Sequence, residues 1–347
     1  MKKKCAFIFA LLFVLIYALS GCTSVLTPDD EREQILLRLS IQKGIPQEAS
    51  DGLDVFISQV EKLSEGKIKI EKSMTDDPLM ALDKGSDIIF ASNSEITRGN
   101  GDFLSFVSPF YFSDYTHMTV TLNGEPFKKL ISDRTGSLIG AQPLAAFYGG
   151  SRVFISNEKD TLDVWDEWKN VKISIAPDND LLEVALKGLN AVVDTENIDE
   201  LVPRFINAKL RTVECEPEAL MQITDNMVKT AYICVYDSFH APKIHWMMVN
   251  TEKWQGLDNY ARAVITDAAA KALAVNDEAV LMQEESCFDY VESIDIPVYE
   301  MDYEDFCGQI DLIYQGSVRY RNLWDWQLHT DIRSITSKQQ ALLTIYE

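Results

Sequence analysis

The sequence predicts an α/β fold with enough chain for two lobes, and three observations carry that reading. Residues 37–92 alternate between two hydrophobic periods. LRLSI and KIKIE repeat every second residue, whereas Leu53, Phe56, Val60 and Leu63 recur at helical spacing between them. The same exchange of strand and helix signals continues to the C-terminal third, the pattern of sheets with helices on their faces. Finally, the chain has 347 residues at 46% hydrophobic content, and the about 310 beyond its leader and tether are enough for two globular lobes.

Taken in order, the first segment is a leader. MKKK is a basic start, and Cys5 to Leu19 is an apolar run of fifteen residues, short of the roughly 20 that a spanning helix needs. LSGC follows at once, the lipobox pattern, so residues 1–21 read as a lipoprotein signal peptide and Cys22 as the lipidated mature N-terminus. Residues 22–35 are polar and acidic and read as a tether. LRLSI (37–41) is then a strand, and residues 53–63 a helix stopped by Gly66. KIKIE (67–71) is a second strand. ALDKG is a short helical piece, and SDIIFAS (86–92) reads as a strand buried on both faces. SLIGAQ, RVFIS, VKISIA, TAYICVYD and IHWMMVN read as later strands, with LLEVALKGL and EALMQITDNM as helices among them. From Leu257 to about Glu285 one long helix is predicted, alanine-rich in its middle.

Charge excludes some partners. The net charge is −22, and removing the three leader lysines takes the mature chain to about −25. Such acidity opposes nucleic acid and an electrostatic grip on anionic lipid, but not a small anion met by local positive charge. Cys215, Cys234, Cys287 and Cys307 form no CxxC pair, and free, buried thiols are the expectation. His117, His240, His245 and His329 are scattered, so no metal site is predicted. No GxSxG, HExxH or phosphate-binding loop occurs, and neither a catalytic residue nor a cofactor is assigned.

Several residues stand out as candidates for a ligand site. Arg152, in FYGGSRVF, is either an edge-strand charge or a cation for an anionic ligand. Ser92 and Asn93 end a strand, where ligands meet open α/β sheets. Tyr148 precedes the glycine pair, and Asn179 opens the helix after VKISIAP. Tyr232 and Tyr236 alternate with Cys234, which puts two aromatics on one strand face. Core or rim packing is the other reading of each.

Five stretches, in order, carry a family resemblance. FISQVEKLSEGKIKIEKSM, ALDKGSDIIFAS, SPFYFSDYTHMTVTLNGEPFKKL, YGGSRVFISNEKDTLDVWDEWKNVKISIAP and MMVNTEKWQGLDNYARAVITDAAAKAL resemble successive blocks of the solute-binding proteins of TRAP transporters. These form the C4-dicarboxylate-binding, DctP-like family. The resemblance implies a two-lobe periplasmic solute-binding fold, type II-like, with a long helix spanning both lobes. It implies lobe I at 36–149 plus 242–280, and lobe II with the C-terminal helices at 150–241 plus 281–347. Hinges then fall near 149–152 and 241–245.

The resemblance also implies a role: an extracytoplasmic binder, not an enzyme, that delivers a small organic acid to a TRAP permease in the membrane. Arg152 matches the first of two family arginines that hold the ligand carboxylate. Ser174 stands where the second belongs and cannot replace its charge. Asn226 and Lys229-Thr230 depart from the family's glycine and Asp-Gly in the block that follows. A binder of a neutral or apolar ligand, a sensory or partner-binding lipoprotein, and a cleft enzyme remain the alternatives.

Overall fold

The computed structural model describes residues 34–334 apart from 159–161, 178, 208, 227–231 and 323. The leader, Cys22, most of the tether and Lys229-Thr230 lie outside the described residues.

The chain first builds β1 (Ile35–Gln42), α1 (Gln47–Leu63), β2 (Ile68–Thr75), α2 (Pro78–Asp83) and β3 (Ile88–Ser92). Next come α3 (Asn93–Gly99), α4 (Tyr115–Asn123), α5 (Glu125–Leu138) and β4 (Ala141–Tyr148). It then crosses to β5 (Val153–Ser156), β6 (Lys172–Ile175), α6 (Asp180–Gly188), β7 (Val192–Thr195), α7 (Ile198–Ile206), β8 (Thr212–Cys215), α8 (Ala219–Asn226) and β9 (Cys234–Asp237). A second crossing leads to β10 (Ile244–Asn250), α9 (Thr251–Gly256) and α10 (Asn259–Ser293). Last are β11 (Val298–Glu300) and α11 (Tyr303–Gly316).

These strands form two sheets, in the orders β2-β1-β3-β10-β4 and β11-β9-β5-β8-β6-β7. The two-lobe α/β architecture predicted from the sequence is therefore present. SLIGAQ departs from it: Ser137 and Leu138 still belong to α5, and the strand begins only at Ala141. The long helix starts two residues later than expected and runs eight residues further, to Ser293.

Alternation explains why the first sheet lies inside its lobe. On β3, Ile88 and Phe90 join one core cluster while Ile89 and Ala91 join the opposite one. Met247 and Val249 of β10 likewise face α1 and α10, and Trp246 and Met248 face away from them. The register slips between Met247 and Met248, which leaves Leu144 unpaired on β4 and turns it to the same side as Ala145.

Two crossings, one long helix and the C-terminal segment after Trp324 join the lobes. The segment after β4 and the segment before β10 run together: Gly149 N–H donates to Lys243 O at 2.8 Å, and Lys243 N–H to Gly150 O at 2.7 Å. Gly150 has φ +92°, a conformation that costs an L residue side-chain clearance. The helix α10 packs Ala261, Val264, Ile265, Ala268, Ala269 and Ala272 against the first lobe and Val291 into the second. Its 35 residues make a rod on the order of 50 Å long. The C-terminal Leu328 and Ile332 pack in the first lobe's core, although the sequence reading groups them with the second.

Candidate functional site

The parallel strands β6, β7 and β8 end on one edge of the second sheet, and antiparallel β5 begins there. A cavity of about 590 Å³ opens on that edge, with Arg152, Asn179, Thr195, Glu196, Asn197 and Glu214 among its walls. Strand ends suit a ligand because the helices that follow start there, and their unpaired N–H groups favour negative charge. Two nine-residue helices do so here. Asn179 caps α6 by accepting from Leu182 N–H at 3.3 Å, and Asn197 caps α7 by accepting from Asp199 N–H at 3.0 Å.

Arg152 stands at the mouth of β5 with its side chain 11% exposed, and it is not a free cation. Its Nε lies 2.8 Å from Glu214 Oε1, though without the alignment of a hydrogen bond. Its Nη1 donates to Glu216 Oε1 at 2.8 Å. Among the described residues, Nη2 meets only the Glu214 carbonyl, at 3.4 Å. Lys243 pairs with the other oxygen of Glu216. Burial works against the charge on Arg152, but Glu214 and Glu216 outweigh it and hold the guanidinium above its ordinary pKa.

Glu214, on β8, is 1% exposed. Besides Arg152, its Oε1 receives Asn179 Nδ2 at 3.2 Å and faces His240 Nε2 at 3.3 Å. His240 Nδ1 is held by the Ser238 hydroxyl, and its ring stacks on Phe154 with centroids 4.0 Å apart. Burial lowers the pKa of His240, so it is neutral and donates through Nε2. Burial would raise Glu214, yet the His240 hydrogen bond and the Arg152 charge prevail and keep its carboxyl below the usual range. Glu214 Oε2 is buried and has no partner among the described residues.

A second buried cluster fixes the crossing itself. Glu284 of α10 accepts from Ser151 N–H at 2.6 Å and from the Tyr148 hydroxyl at 2.9 Å. About two turns earlier on the same helix, Asp277 accepts from Tyr148 N–H at 3.0 Å and from the Tyr115 hydroxyl at 2.9 Å. Burial pushes both carboxyls up to about 7.

Of the residues singled out in the sequence, the structure brings Arg152 and Asn179 together at the cavity. Ser174 is buried within β6, in register with Val213, and is not part of the wall. Tyr148 points into the crossing, onto Glu284. Ser92 bonds Ser94 and Gln42 in the first lobe. Asn93 is spent on Trp246, Phe103 and Thr97. Tyr232 and Tyr236 join the core beside Tyr299, away from the strand edge. Glu214, Glu216, Asn197 and His240 were missed by the sequence reading. Glutamates in ECEPE (214–218) look like solvated charge, and nothing local marks Glu214 as buried.

The four described cysteines are free, three of them buried. Among the described residues no group of His, Cys, Asp and Glu could hold a metal ion, and no helix is long and apolar enough to cross a membrane.

Comparison with known proteins follows the same outline. Residues 47–309 match the family model described as bacterial extracellular solute-binding protein, family 7 (DctP). Among solved structures, the fold is similar to a TRAP periplasmic solute-binding protein of Rhodobacter sphaeroides in its apo open form. The TM-score is 0.71 at 15% identity, covering 88% of this chain and 99% of that one. It is also similar to the sugar-acid-binding protein of Advenella mimigardefordensis in complex with galactonate, with TM-score 0.58, 19% identity, and 88% and 99% coverage. A third is the Roseobacter denitrificans TRAP protein with bound 3-deoxy-D-manno-oct-2-ulosonic acid, with TM-score 0.59, 18% identity, and 87% and 99% coverage. No protein of curated function matches the chain.

Proposed function

The chain belongs to bacterial extracellular solute-binding protein family 7, and from that premise we propose that it captures a small organic acid between its lobes and hands it to a TRAP permease. The family match over 47–309 is the observation that carries the reading. The cavity supports it in kind. Two helix N-termini begin at its walls, and Arg152 has one nitrogen, Nη2, whose only partner among the described residues is a backbone carbonyl.

Arg152 is not the free clamp expected from the sequence, because Glu214 and Glu216 already balance its charge. An acid therefore binds here through directed hydrogen bonds from Arg152 and Asn179, with the helix ends, rather than through a bare excess of positive charge. The bound acids of the Advenella and Roseobacter proteins, galactonate and a deoxy-octulosonic acid, favour the same ligand class. The neutral-ligand alternative keeps the support of that charge balance.

We place the protein outside the cytoplasm, held to the membrane surface by lipid on Cys22, on the strength of LSGC behind its basic and apolar leader. Lobe I is assigned 36–149 plus 242–280 and lobe II 150–241 plus 281–347, save that the C-terminal segment bearing Leu328 and Ile332 returns to lobe I, with hinges at the paired crossings.

Mass spectrometry of natively purified protein identifies the carried solute. Uptake of that solute into vesicles bearing the cognate permease and an ion gradient is expected only when this protein is added. Uptake that proceeds equally without it would overturn the role.

A further inference from the structure

We propose that the solute carries a hydroxyl or ammonium group that donates to Glu214, which makes Glu214 the residue that selects substituted acids over plain mono- and dicarboxylates. This rests on the organic-acid reading of the cavity and narrows it.

The asymmetry of one carboxylate carries the inference. Oε1 of Glu214 gathers Arg152, Asn179 and His240, whereas Oε2 gathers nothing among the described residues, although it belongs to a side chain 1% exposed. A buried carboxylate oxygen without a donor is costly, and no neighbour among the described residues supplies one. His240 cannot swing to it, since Ser238 and Phe154 hold the ring. Asn179 is fixed by its cap of α6. The missing donor is thus left for a molecule in the cavity whose wall Glu214 forms.

Charge points the same way. Arg152, Arg204 and Lys243 are matched by Glu214, Glu196 and Glu216. One carboxylate finds directed donors at Arg152 Nη2 and the helix ends. A second would face Glu214 and Glu196 without a cation of its own. A hydroxyl meets Glu214 at no cost in charge, and an ammonium gains attraction.

The test is thermal-shift screening followed by calorimetry on the whole mature protein. The panel holds hydroxy acids such as galactonate, amino acids such as serine, plain acids such as hexanoate and succinate, and polyols such as galactitol. At least one hydroxy or amino acid is expected to bind, and which of the two does so identifies the donor. Its analogue stripped of that donor should bind about 10- to 150-fold more weakly, the worth of a hydrogen bond to a charged group.

Glu214→Gln should weaken the substituted acid by a similar factor and, by freeing the Arg152 charge, strengthen succinate. A merely structural role would weaken both. Because the stripped analogue is tested on the unaltered protein, the result stands even where the variant folds poorly. Equal affinity for the stripped analogue would overturn the Glu214 inference and leave the organic-acid reading intact. Binding of plain acids alone would likewise overturn only the Glu214 inference, whereas binding of polyols alone, or of no acid at all, would overturn both.

Discussion

Arg152 and Glu214 are buried against each other, and each is stable because the other is present. Removing one member of such a pair costs about 3–5 kcal/mol, since the partner's charge is left uncompensated. Arg152→Ala should therefore lower folding stability by that order in urea titration. It should also weaken the solute by about 30- to several-thousand-fold, from the 2–5 kcal/mol of a truncated buried contact. Calorimetric titration with the co-purified solute checks the second figure. Lost stability with unchanged affinity would make Arg152 a purely structural partner of Glu214. At the other end of the chain, Cys22→Ala should abolish acyl labelling and release the protein from the membrane fraction. A variant still labelled and still membrane-bound would contradict the lipid anchor.

The element that ties the lobes together is α10, which grips the first crossing through Asp277 and Glu284. Burial raises both carboxyls to about 7, so the folded protein retains protons that the unfolded chain has released by then. The stabilisation from each is full below pH of about 4 and is lost as pH rises to about 7, a change on the order of 3 kcal/mol per group. The urea midpoint should consequently fall between pH 5 and 7.5, and Glu284→Gln should flatten that slope. A midpoint that rises over the interval would contradict the assignment. Gly150→Ala should cost about 1–2 kcal/mol through its positive φ alone, because its new methyl meets nothing closer than 3.5 Å. These elements were unevenly legible in the sequence. The strands β1 and β2 announce themselves by alternation, and β3 and β10 by short runs of apolar residues. By contrast, VVDT and TVEC became β7 and β8 on four residues each, too short and too polar to show a period. The start of β4 was misplaced because Ser137 and Leu138 extend α5. Glu214 lies inside one of those silent strands, which is why the buried carboxylate opposite Arg152 was invisible. Arg152 and Asn179 were legible because a strand end and a helix cap have local signatures. Tyr232 and Tyr236 show that periodicity gives a shared face and not which face: theirs turns to Tyr299 and the core.

At the scale of the whole molecule, the fold separates what must be rigid from what is free to move. Each lobe has its own sheet buried on both faces by helices and apolar clusters. Between them run two crossing segments, bonded to each other at Gly149, Gly150 and Lys243, the rod of α10, and the C-terminal segment that carries Leu328 and Ile332 back to the first lobe. Few backbone angles thus need to change for the lobes to approach, and the Arg152–Glu214 cavity lies beside the crossing that would bend. An open apo state and a closed loaded state are the expected pair, with ligand contacts favouring the closed one. Small-angle X-ray scattering on the mature protein, emptied and then saturated with its co-purified solute, tests this capture most directly. The account predicts a smaller radius of gyration with solute, and no such change in Arg152→Ala at the same concentration. An unchanged radius at proven saturation would contradict capture by lobe closure.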